Sequence, residues 1–190
     1  MNRLITISIL LLNSCTNNYE IENTYPWISP EDYFTKVKII DNYYIEIEYV
    51  PIAKMVGDAY GVLNFDELEL RKKEYNGYRY FTVKIGMANG KSNVLKEAQG
   101  ESNSYEQRLN SFLNGQGNFK LHTKEQTFDC TIYHFERYYN TVPYDKILLG
   151  FTQQAFEGEN NSIAVVFKDE ILGLGTLTFE YLKEDIIDTN

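Results

Sequence analysis

The sequence predicts a mainly β fold, an antiparallel β-sandwich carrying two or three short helices. Short runs rich in Tyr, Phe, Val and Ile alternate apolar with polar residues at the period of two expected of half-buried strands. Most of these runs are joined by brief turns of Gly, Asn, Asp and Pro, and long helical patterns do not separate successive strands as a parallel α/β sheet would require. Composition agrees, with 16 Tyr and 11 Phe against one Trp, ring types that suit pleated surfaces. Two readings of the tyrosines stay open: rings closing a β core with hydroxyls at its rim, or an exposed surface for sugar or protein contact.

In chain order, Ser29-Pro30-Glu31-Asp32 reads as a helix start, with Ser29 as cap, Pro30 at the first helical position and acids in the first turn. Residues 36–40 and 43–50 flank Asp41-Asn42 as a hairpin, its second strand alternating Ile45, Ile47 and Tyr49 with Glu46 and Glu48. Pro51 ends that strand, and residues 52–59 suggest a helical turn closed by Gly57. Asn64 with Glu67 forms a capping-box signature for a helix stopped at Asn76-Gly77. Residues 78–87 are a strong strand with Phe81, Val83, Ile85 and Met87 on one face.

Residues 88–104 read as an exposed connection in which Val94 and Leu95 are the only large apolar side chains. Ser104 opens a helix with Tyr105, Leu109, Phe112 and Leu113 on one face, stopped at Asn114-Gly115. Residues 119–122 and 127–138 then pair across 123–126, and strands at 146–152, 162–168 and 175–182 bring the set to seven or eight. Neither a repeat nor a break in composition marks a second domain.

A chain of 190 residues is the length of one domain and can bury a core. Its formal charge of −9, without a basic stripe, repels phosphate backbones and argues against nucleic acid as a partner.

The first residues carry an address. Arg3 precedes a short apolar run at 4–12 (LITISILLL), of signal-peptide length and too short to span a bilayer. Leu12-Asn13-Ser14-Cys15 follows. This order resembles the lipobox of bacterial lipoproteins, although Asn13 departs from the small or β-branched residue usual there. The resemblance implies a signal peptide at 1–14, lipid on the Cys15 sulfur, a tether over 15–28 and a single β-rich domain at 29–190, anchored in the cell envelope with the outer membrane as the expected site. The alternative is a buried apolar segment with Cys15 as a core thiol.

With Cys15 lipidated, Cys130 has no disulfide partner and is expected in the core between Phe128 and Ile132, residues that share its strand parity with His134. His122, Cys130 and His134 are the soft ligands of the mature chain, but Cys130 and His134 stand roughly 13 Å apart on a strand, which disfavours both a zinc site and a cysteine nucleophile. Paired acids, Glu46 with Glu48, Glu67 with Glu69 or Asp129 with Glu136, could in principle serve glycoside hydrolysis, but among 27 acids some pair always meets the spacing, and a solvated strand face is the favoured explanation. Gly173-Leu174-Gly175 and Gly115-Gln116-Gly117 lack the remainder of a phosphate cradle. No cofactor is expected.

One segment is unusually dense in rings, Tyr133-His134-Phe135-Glu136-Arg137-Tyr138-Tyr139 running on to Pro143-Tyr144. It resembles a stretch in uncharacterised lipoproteins of the Bacteroidetes type, a similarity that implies no activity. Arg137, Tyr138, Tyr139 and Tyr144 are the candidate partner-binding residues, and a core hairpin ending in an aromatic turn is the competing reading. Three functions follow: a non-enzymatic accessory subunit holding an envelope protein; a carbohydrate-binding lipoprotein stacking Trp27 and tyrosines on sugar; and a hydrolase using paired acids.

Overall fold

The computed structural model describes residues 34–61, 64–97, 104–139, 141–157, 161–170 and 172–186. The leader, Cys15, the tether and the helix start at Ser29 lie outside them. Among the described residues nine strands form two sheets in which every pairing is antiparallel. The first contains β1 (Thr35–Ile40), β2 (Tyr43–Val50), β3 (Tyr78–Met87), β6 (Ile132–Glu136) and β7 (Tyr144–Thr152), in the order β1-β2-β3-β7-β6. The second contains β4 (Phe119–His122), β5 (Thr127–Asp129), β8 (Ser162–Lys168) and β9 (Thr176–Leu182), in the order β5-β4-β8-β9. The fold is mainly β and sandwich-like, as the alternation predicts.

The alternation also sets the faces. Ile45, Ile47 and Tyr49 of β2 stand opposite Ile85, Val83 and Phe81 of β3, all buried, and Ile147 and Leu149 of β7 continue the layer. From the second sheet Ile163, Val165, Phe167, Leu177, Phe179 and Tyr181 meet them in one core. Phe81 lies at its centre, its ring centroid 5.5 Å from Tyr49, 5.4 Å from Tyr181 and 6.0 Å from Phe151 in edge-on contacts. Lys36 and Lys38 also point to the inner side of edge strand β1, and their ammoniums reach over the rings of Tyr181 and Phe179.

Four α-helices occur among the described residues, where the sequence predicts two or three: α1 (Ile52–Tyr60), α2 (Phe65–Tyr75), α3 (Val94–Glu97) and α4 (Ser104–Asn114). Helix α1 runs through Gly57 and stops at Gly61, which takes φ 76° and returns its N–H to the Gly57 carbonyl. A helical glycine weakens a helix without ending it; a left-handed one ends it. Helix α2 begins with the expected box, the Asn64 side chain accepting from the Glu67 N–H and the Glu67 carboxylate accepting from the Asn64 N–H.

Two expectations fail for non-local reasons. The connection after β3 is not exposed throughout: Ser92, Asn93, Val94 and Leu95 are buried. Asn93 bridges to Gly86, and the Asp145 carboxylate of β7 accepts the Leu95 N–H at 3.1 Å, which holds α3 against the sheet. The single strand expected at 127–138 is two strands in different sheets. The chain turns the corner at Cys130 and Thr131, where Gln116 donates to both carbonyls and the Thr131 N–H reaches Gly150. The corner resets the parity, so Phe135 is buried and His134 faces solvent. Cys130 is buried as expected.

Candidate functional site

The aromatic segment leaves β6 at Glu136 and returns as β7 at Tyr144. Its four candidate residues are brought together but presented differently. Arg137 is exposed and donates to the Tyr105 hydroxyl of α4 at 2.6 Å, while its guanidinium carbon lies 4.7 Å from the ring centroid of Tyr139. Tyr139 is 73% exposed and takes φ 49°, a left-handed conformation uncommon for so large a residue. Tyr138 and Tyr144 turn inward and meet edge-on at 6.2 Å. The Tyr138 hydroxyl donates to the Glu136 carboxylate, and burial first, then that carboxylate, raises its pKa.

The inward pair leads to a groove that sequence reasoning missed. On the outer face of the first sheet the register places Glu46, Lys84, Lys146 and Glu136 side by side across β2, β3, β7 and β6. Lys84 meets Glu46 at 2.6 Å and Lys146 meets Glu136 at 3.2 Å, and Lys54 of α1 pairs with Glu48. Helices α1 and α2 contribute Met55 and Tyr75 to one side and Tyr144 stands at the other, bordering an open groove of about 480 Å³. Burial alone would lower the Lys84 pKa, but the hydrogen bond and charge of Glu46, with Glu48 and Tyr144 beyond, carry it above the ordinary lysine value. Lys84 therefore stays an ammonium, 5.5 Å from the Tyr144 ring centroid.

Gly86 brings the returning segment close. A Cβ there would stand 2.6 Å from the Pro143 carbonyl oxygen and 2.5 Å from the buried Tyr44 ring. The local signal for the groove was the like parity of Glu46 and Glu48 and of Thr82 and Lys84; which strand lies beside which is not written locally.

The other candidates are dispersed. His122 ends β4 in the second sheet, His134 stands exposed on the first, and Cys130 is buried at the corner, its thiol pushed up to about 11 chiefly by burial. Among the described residues no three His, Cys, Asp or Glu side chains converge as a metal site would need. The paired acids are each held locally: Glu46 and Glu48 by lysines, Glu67 in the helix cap, Glu69 by Lys72, Asp129 by Lys120 and Glu136 by Lys146. Asp129 and Glu136 belong to different sheets.

No family model matches the chain, and no curated protein matches it. Among solved structures it is similar to a protein of unknown function from Burkholderia pseudomallei, at 10% identity over 80% of this chain and 79% of that one, with a TM-score of 0.38. It is also similar to a DUF4426 family protein from Pseudomonas aeruginosa, at 11% identity over 78% of this chain and 91% of that one, with a TM-score of 0.37.

Proposed function

We propose that this chain is a lipoprotein, anchored by lipid on Cys15 at the outer membrane, that serves as a non-enzymatic accessory subunit of a cell-envelope protein assembly. Its partner is held by the surface of Arg137 and Tyr139, backed by Tyr138 and Tyr144. The observation that carries this reading is the Arg137–Tyr139 stack: an exposed ring on a left-handed residue, with an arginine laid over it and tied to Tyr105. Tyr and Arg are the types enriched in binding hot spots, and a side chain already ordered before contact loses less entropy on binding. The lipobox-like Leu12-Asn13-Ser14-Cys15 supplies the address.

The test is a photo-crosslinking residue at position 139 in the full chain, expressed in its own membranes. One dominant protein adduct is expected there, with background only from the same residue at Thr178, an exposed position on the second sheet. Equal background at both positions would contradict the reading.

A further inference from the structure

We infer that the groove on the outer face of the first sheet is a binding site for a neutral, hydroxyl-rich ligand of the saccharide class. It contains neither Arg137 nor Tyr139, shares Tyr144 with the residues behind them, and does not depend on the partner reading. Three ammoniums, of Lys54, Lys84 and Lys146, line it and each is paired with a carboxylate: Glu48 and Glu136 in the lining itself, and Glu46, buried beside Lys84. The groove therefore has no net charge, on a chain whose formal charge is −9. An anion or cation gains no local field, and a zwitterion would have to break pairs that are already formed.

Hydrogen-bonding capacity nevertheless remains. An ammonium has three donors and a carboxylate accepts about four hydrogen bonds, so each pair leaves both kinds unused. Lys84 and Lys146 stand directly opposite each other in the register, and Glu136 and Glu48 offer acceptors in the same lining, while Glu46 is buried. Hydroxyl groups act as both donor and acceptor and fit such a row without disturbing its charge balance. Leu148 and Met55 supply apolar surface beside it, and Tyr75 and Tyr144 stand at the sides. A sugar ring presents the same combination, hydroxyls at its edge and C–H groups on its face. The volume of about 480 Å³ lies within the range of about 300–1,000 Å³ of small-ligand sites.

The geometry also argues against leaving these ions to a stabilising role. The lysines of the central pairs are only 26% and 25% exposed, and replacing such pairs by apolar residues of similar size is often neutral or favourable for stability.

The test is titration calorimetry of the full chain in detergent with maltohexaose, cellohexaose, laminarihexaose and chitohexaose, and with hexamers of galacturonic acid and glucosamine as charged controls. Saturable binding of at least one neutral hexamer is expected, tighter than either charged one. The double variant E136L/K146M removes one pair without orphaning a charge and should weaken that binding by about tenfold or more. Ala59→Trp, on the exposed rim of α1, should obstruct the groove without touching an ion pair, and R137A/Y139A should bind the hexamer as the wild type does. The inference is overturned if no neutral hexamer saturates, if a charged hexamer binds more tightly, or if folded Ala59→Trp binds as the wild type does.

Discussion

The Tyr181 hydroxyl of β9 donates to the Ile47 carbonyl of β2 at 2.7 Å, a hydrogen bond that crosses the sandwich between residues 134 positions apart in sequence. Tyr181 is 1% exposed, so its polar tip is satisfied by the facing sheet and not by water. Tyr181→Phe keeps the ring contact with Phe81 and leaves the Ile47 carbonyl one donor short. A loss of about 1 kcal/mol is expected in urea unfolding, with the slope unchanged. An unaltered midpoint would mean that the bond adds nothing to the sheet contact.

Asp145 is 4% exposed, and burial raises its carboxyl from 3.8 to about 6 against the opposing effect of the Leu95 and Val94 N–H groups. Its folded value lies above its unfolded one, so the native state holds a proton that the unfolded chain has released between those values. The resulting stability is complete below pH 3.8 and is lost as pH rises through 6. Asp145→Asn cannot titrate and should flatten the stability profile between pH 4 and 6 relative to the wild type. Parallel profiles would show that Asp145 is not the group responsible.

Cys130 should be nearly inert in the native state. A free thiol titrates near 8.5, whereas this one is raised to about 11, so at pH 8 reaction with a maleimide should be on the order of a hundredfold slower than in denaturant. Equal rates would place the thiol at the surface and contradict the corner between β5 and β6.

The sequence is legible where the determining contacts are local. Asn64 and Glu67 define a helix start within one turn, Asp41-Asn42 a hairpin, and Thr176–Leu182 alternates exposed and buried residues without a break. What it hides is fixed by distant partners. The strand expected at 127–138 divides because Gln116 and Gly150 hold the carbonyls and N–H of the corner. Val94 and Leu95 leave solvent because Asp145, fifty residues on, holds the backbone there. The aromatic segment could be singled out from its own composition, but not the division into an exposed Arg137–Tyr139 pair and an inward Tyr138–Tyr144 pair. The groove was illegible for the same reason: Lys84 and Lys146 become neighbours only through the β3–β7 register.

The anchor is tested by Cys15→Ala. The variant should fold as the wild type does and move from the membrane fraction to the soluble one, and the wild-type N-terminal peptide should gain the mass of its acyl chains. Wild-type abundance of the variant in membranes would contradict lipid attachment at Cys15. Two or more acyl chains hold a protein stably, at about 0.8 kcal/mol per buried methylene, so the expected shift is nearly complete.

The binding role is tested most directly by the affinity of R137A/Y139A for the protein cross-linked at position 139, measured beside its melting transition. Exposed positions cost within about 0.5 kcal/mol on average, so the transition should stay close to that of the wild type. Affinity should fall by about tenfold or more, the loss expected when a hot-spot pair is truncated. Unchanged affinity, or loss of binding only together with loss of the melting transition, would contradict a partner-binding surface at Arg137 and Tyr139.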